Sequence, residues 1–250
     1  MAKSMLVTLP CVLLLLDWWP LRRIPRTVTL QRAIVEKLPL LALAGMAGAF
    51  TFVAQSRAGL VVPLAARPLG ERLANAVTSY VTYAAKTFWP MTLSCFYPYP
   101  ESFAVGAVVG ATAVLVAVSA LAISLVRSRP YVATGWFWYL GTLVPVIGHR
   151  GDRRTVDGRS LHVLALIGLF VVVSWGAWDL FERVPHREIV LGGAAVLAIG
   201  LCVAKTRVEA AYWRDSRSLF EHALAVTSRN FLAHGNLGLV LRQEGAPRRP

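Results

Sequence analysis

Six runs of apolar residues decide most of what this chain can become. They cover 5–19, 38–55, 103–126, 131–147, 161–178 and 189–204. Each approaches the roughly 20 mainly apolar residues that an α-helix needs to cross the hydrocarbon of a bilayer. In lipid a backbone has to satisfy its own hydrogen bonds, so such runs insert as helices. The sequence therefore predicts an all-α, polytopic membrane protein with about six spans. A seventh stretch, 72–89 (RLANAVTSYVTYAAKTFW), carries Arg72, Asn75, Lys86 and several hydroxyls. It reads as an interfacial or bundle-facing helix.

Composition agrees with that reading. Of 250 residues, 56% are hydrophobic and 16% charged, a balance foreign to soluble domains. A net charge of +13 would suggest nucleic acid in a soluble protein. Here the basic residues sit in short links beside apolar runs, where they fix membrane orientation instead. Nucleic acid is set aside on that ground. Cys11, Cys95 and Cys202 form neither a CxxC nor an even-numbered framework, and Cys11 and Cys202, inside apolar runs, read as packing residues.

Orientation follows from the links. The segment 20–37 holds Arg22, Arg23, Arg26, Arg32 and Lys37 against Glu36, which puts it in the cytoplasm. Counting alternate sides, Arg127, Arg129, Arg183 and Arg187 also fall inside, and everything after Ala204 falls outside. If 72–89 spans, every later assignment inverts. The first run resembles a signal peptide, with Lys3 before MLVTLPCVLLLL, but DWWPLRR follows instead of a small-x-small cleavage site. A retained helix with its N-terminus outside is expected. One link breaks the charge rule: HRGDRRTVDGRSLHV, 149–163, falls outside yet carries Arg150, Arg153, Arg154 and Arg159.

Beyond Ala204 hydropathy falls and charges recur every few residues. Ser216, Phe220 and Ala223 match the second helix of a tetratricopeptide repeat, and Leu237, Gly238 and Gly245 match the first helix of the next. Small residues at such places let paired helices approach, while large ones fill the groove between repeats. His234, Leu241 and Ser228 depart from the pattern, and a generic amphipathic hairpin is the plainer alternative. The expected organisation is a membrane domain over 1–205 and the start of a tetratricopeptide-repeat region over 206–250. Such repeats need roughly three units for a continuous core, so the chain is expected to be cut off within its second.

Several strings, taken in order, carry a more specific likeness: LVTLPCVLLLLDWWPLRR, EKLPLLALA, RLANAVTSYVTYAAKTFWP, FYPYP, WFWYLGTLVPVIG, LIGLF and WRDSRSLFEHALAV with AHGNLG beyond it. Together they resemble bacterial relatives of the transmembrane and tetratricopeptide-repeat protein O-mannosyltransferases, membrane glycosyltransferases of the GT-C type. The likeness covers nearly the whole chain. It implies a polyprenyl-phosphate sugar donor, Ser or Thr hydroxyls of translocated proteins as acceptors, a bacterial inner-membrane location and repeats on the periplasmic side. It also implies further spans ahead of Met1, with an external acidic loop supplying the base and the partner for a divalent metal. Activating a hydroxyl needs a positioned carboxylate, and a phosphate leaving group is served by a cation. This chain offers Asp17 and little else acidic among its spans. No residue is therefore assigned a catalytic or metal-binding role. A truncated piece, inactive alone, is the expectation.

The discordant link acquires a reading from the same likeness. Where the family carries something close to MADRYTYLP, this chain has DGRSLHVLA, 157–165. Permitted codons for Asp157–Ala165, read one base later, spell the family's string. Roughly 151–165 is thus expected to be a frameshifted segment between compensating indels, with a variable polar loop as the alternative. His162 lies within it and is not read as a ligand.

Other signals have plain and sharp readings side by side. Lys86, Trp89 and Tyr97 could meet a lipid-phosphate headgroup, although aromatic anchoring with a snorkelling lysine is the favoured reading. Gly106 and Gly110 form a GxxxG whose ordinary meaning is close helix packing. Asp17, beside Trp18 and Trp19, reads as a hydrogen-bond acceptor at a helix end. Two functions from different classes remain: the glycosyltransferase-like membrane protein, and a membrane-anchored repeat scaffold that holds a protein partner. A transporter ranks third, because the spans carry almost no ionisable groups along a pathway.

Overall fold

The computed structural model describes residues 7–24, 26–57, 68–89, 94–95, 103–148 and 159–245. Among them the regular structure is entirely helical, α1 to α9. The chain divides into two compact units, 1–87 with 102–177, and 88–101 with 178–250.

The first unit opens with α1 (Leu9–Trp18), which has Pro10 in its first turn, where a missing N–H costs nothing. It packs on α2 (Leu30–Arg57) and on α5 (Pro130–Gly148). Along α2 only a narrow stripe is covered: Ala33, Lys37 and Ala44 are buried, whereas Phe50 is 77% exposed. Helix α3 (Leu69–Phe88) is two-faced. Ala76, Tyr80, Tyr83 and Ala84, at helical spacing, pack on the core, while Leu73 on the other side is exposed. In α4 (Val105–Ser124) Ala111, Leu115, Val118 and Ala122 recur on the inner face.

Helix α5 is the centre of this unit. Trp136, Tyr139 and Leu143 join Ala122 of α4 with Ala165 and Leu169 of α6 (Arg159–Leu180) in one buried cluster. Helices α5 and α6 cross at Gly135 and Gly168. A Cβ on either would run into the other's carbonyl oxygen, and one on Gly168 would also lie 2.9 Å from the Tyr139 nitrogen. Glycine at both places is what lets the two backbones touch.

In the second unit α7 (Arg187–Ala211) has no buried residue. The Arg187 guanidinium lies 4.1 Å over the Trp178 ring. Helices α8 (Ser216–Val226) and α9 (Phe231–Gly245) pack as a pair.

Three helices among the described residues are long and apolar enough to cross a membrane: Leu30–Ala54, Val105–Ser124 and Arg187–Ala211. Leu9–Trp18 and Leu164–Leu180 are apolar but shorter. The count of six from the sequence is thus matched only in part. Helix α2 starts at Leu30 rather than 38, and α7 runs unbroken past 204 to Ala211. Of the expected frameshifted segment, 151–158 lie outside the described residues, as does Tyr97.

Candidate functional site

The corner between α1 and α2 concentrates the charge chemistry of the first unit. Asp17, in the last turn of α1, is 4% exposed. One of its oxygens accepts a hydrogen bond from Arg23 Nη1 at 3.0 Å and the other from Lys37 Nζ, itself buried. Arg23 Nη2 reaches on to Glu36 Oε2 at 3.1 Å, and Arg32 Nε stands 4.0 Å from Glu36 Oε1. Backbone bonds draw the link back onto the helix end. The Asp17 carbonyl accepts from the N–H groups of Arg23 and Ile24, and the Arg23 carbonyl accepts from Thr27 and Val28. Hydrogen bonds to Asp17 first, and to Glu36 second, hold the Arg23 guanidinium still more firmly protonated than an ordinary arginine. Next to Asp17, the Trp19 ring meets Trp175 edge-on at 5.2 Å and Tyr131 at 6.2 Å.

Such a carboxylate is committed. Both oxygens face cations, so taking a proton from a substrate hydroxyl would dismantle two ion pairs in a poorly solvated place. The arrangement suits neutralising Lys37 rather than acid–base work.

Deeper in the unit, α3 and α5 are locked by a reciprocal pair of hydrogen bonds. The Tyr139 hydroxyl donates to the Tyr80 carbonyl at 2.6 Å, and the Tyr80 hydroxyl donates to the Leu140 carbonyl at 2.9 Å. Trp136 Nε1 donates to Ser119 Oγ of α4, and Trp138 Nε1 donates to the Leu164 carbonyl of α6, both at 2.9 Å. Beside this lock an open apolar groove of about 440 Å³ runs past Ala76, Tyr80, Leu115, Phe137 and Leu140.

The α8–α9 pair is built on small and capping residues. Ala223 and Ala233 are fully buried, which lets the helices approach. Asp215 Oδ1 accepts from the Ser218 N–H at 2.7 Å and starts α8. That backbone bond, the largest cause of the shift, holds the Asp215 carboxyl below the usual carboxylate range. Asn230, 1% exposed, starts α9. Its Oδ1 accepts from the Ala233 N–H at 3.1 Å, while its Nδ2 donates to Thr227 Oγ1 at 2.9 Å. Arg229, at φ 52°, takes the left-handed turn between the helices.

The residues singled out from the sequence fall as follows. Lys86 is partly buried in the last turn of α3, and Trp89, just past that helix, is 73% exposed and belongs to the second unit. Among the repeat positions Ala223 is buried, Phe220 and Leu237 are half-buried, and Ser216, Gly238 and Gly245 are exposed. Gly106 and Gly110 are exposed, with open space beside both. Among the described residues no three His, Cys, Asp or Glu side chains gather as a metal set. Sequence reading did not single out Lys37 as a partner of Asp17, nor Asn230 and Ala233. An Asn ahead of an apolar run was the one available signal, as a helix start. Comparisons with protein-family models, curated proteins and solved structures find no match for the chain.

Proposed function

We propose that this chain is a membrane-embedded, glycosyltransferase-like protein, akin to the C-terminal part of bacterial protein O-mannosyltransferases. It meets a polyprenyl-phosphate sugar at the lipid interface and transfers nothing by itself. The ordered strings from LVTLPCVLLLLDWWPLRR to AHGNLG support the kinship, and helices of membrane-crossing length support the setting. One observation supports the absence of autonomous turnover: Asp17, a buried carboxylate of the first unit, is closed off by Arg23 and Lys37. In this reading the protein has six spans in a bacterial inner membrane. Lys86 serves the lipid phosphate, and α8–α9 begin a tetratricopeptide-repeat domain on the periplasmic side.

The test uses the purified chain in nanodiscs with an undecaprenyl-phosphate hexose, a Ser/Thr-rich acceptor peptide and Mg²⁺. The donor should be retained in native mass spectra while the peptide stays unmodified. Peptide glycosylation would overturn the inactive reading, and failure to retain the donor would remove the lipid-phosphate role. A second reading, a membrane-anchored scaffold for a protein partner, draws on the well-built α8–α9 pair with its buried Asn230. It predicts no donor retention and a partner that co-purifies only while 212–245 is intact.

A further inference from the structure

The α1–α2 corner sorts its cations into two groups. Five basic residues, Arg22, Arg23, Arg26, Arg32 and Lys37, share the corner with two carboxylates, Asp17 and Glu36. Arg23 and Lys37 turn toward Asp17, and Arg23 also reaches Glu36. Arg22 and Arg26 are exposed, and Arg32, exposed as well, stands beside Glu36 at the rim of the cluster. Arg32 keeps 77% of its side chain open and touches Glu36 only at 4.0 Å. Arg22, at φ 50°, lies in a left-handed turn of the backbone. The bonds from Thr27 and Val28 to the Arg23 carbonyl hold Arg26 in the same compact link. Five cations against two carboxylates leave the corner a net charge of +3, and Arg22, Arg26 and Arg32 carry its exposed guanidinium groups.

Exposed apolar side chains flank those charges. Leu21 is 61% exposed and Leu30 57%, and Leu30 is the first residue of a helix long and apolar enough to cross a membrane. Arginines beside leucines at the mouth of such a helix match both halves of an acidic phospholipid: a phosphate for the guanidinium groups and the acyl boundary for the leucines. We propose that Arg22, Arg26 and Arg32 form a binding surface for anionic phospholipid headgroups, with Leu21 and Leu30 seated in the acyl boundary beneath. The surface rests on α2 lying in a bilayer. It is independent of any sugar donor or repeat function.

The full chain is reconstituted in nanodiscs of equal phosphatidylglycerol and phosphatidylcholine, and the lipid retained after gentle release is read by native mass spectrometry. Wild type should keep phosphatidylglycerol at least about fivefold over phosphatidylcholine, the order that a single arginine contributes near an anionic surface. Arg22→Gln/Arg26→Gln/Arg32→Gln should lose that enrichment. A control that removes the same charge elsewhere, Arg183→Gln/Arg207→Gln/Arg214→Gln, should keep it. The triple Arg→Lys variant of the corner, which preserves charge, should retain most of it and guards against loss through misfolding. Unchanged enrichment in the corner glutamine variant would overturn the proposal. Equal loss in the control would overturn it as well, by tracing the effect to net charge alone, and so would loss in the lysine variant as complete as in the glutamine one.

Discussion

Lys37 shows how far one side chain's role depends on another. An ammonium held this far from water is tolerable only beside an opposite charge, and Asp17 supplies it from another helix. Asp17→Asn should therefore destabilise the protein by about 2–3 kcal/mol, read from thermal unfolding in detergent. Truncating one member of a fully buried pair costs about 3–5 kcal/mol. The smaller figure reflects Arg23, whose side chain is 39% exposed and can take up solvent when released. Asp17→Leu combined with Lys37→Met should recover most of the loss, because the charge and its partner leave together. Asp215 behaves differently, since its partner is a backbone N–H at a helix start. Its carboxyl titrates lower when folded than when unfolded. Its contribution is therefore complete above the unfolded value of about 3.9 and vanishes as pH falls through the folded one. The protection factor of the Ser218 amide, its exchange rate relative to an unstructured amide at the same pH, should fall on acidification across that window, and Asp215→Ala should show the low protection at every pH.

At the scale of helices, the tightest constraint is the crossing of α5 and α6. A methyl group on Gly135 meets the Gly168 carbonyl, which is backbone and cannot swing aside. Gly135→Ala should cost about 1–3 kcal/mol, measured as a lowered midpoint of thermal unfolding, whereas Gly176→Ala, in open space, should be nearly neutral. Helix positions were largely legible in the sequence because apolar runs of this length leave the backbone little choice. Their ends were not. The first two turns of α2 carry Arg32, Glu36 and Lys37, which dilute any average of hydropathy, yet Ala33 and Lys37 lie one turn apart on the covered side. At the other end α7 keeps its helix through Lys205, Arg207 and Glu209, where polarity rises but helix propensity does not fall, and the Lys205–Glu209 pair at 2.9 Å fits that continuation. The two-faced character of 72–89 was readable because its inward Ala76, Tyr80, Tyr83 and Ala84 recur at helical spacing.

For the molecule as a whole, the exposed apolar surface of α2, α4 and α7 argues for lipid as its surroundings. The chain should stay with the membrane pellet after alkaline carbonate extraction, and its release into the supernatant would exclude membrane spans. The pairings that hold the first unit together were the part the sequence concealed. Asp17 and Lys37 stand 20 positions apart and Tyr80 and Tyr139 stand 59 apart, and only the packing of separate helices brings them into reach. The Asp17 pair also bears on biogenesis. Asp17 reaches the translocon before Lys37, and either charge left without the other would resist partition into lipid. The first two helices therefore have reason to leave the translocon together, as a hairpin already joined across its turn, so that neither charge crosses into oil by itself.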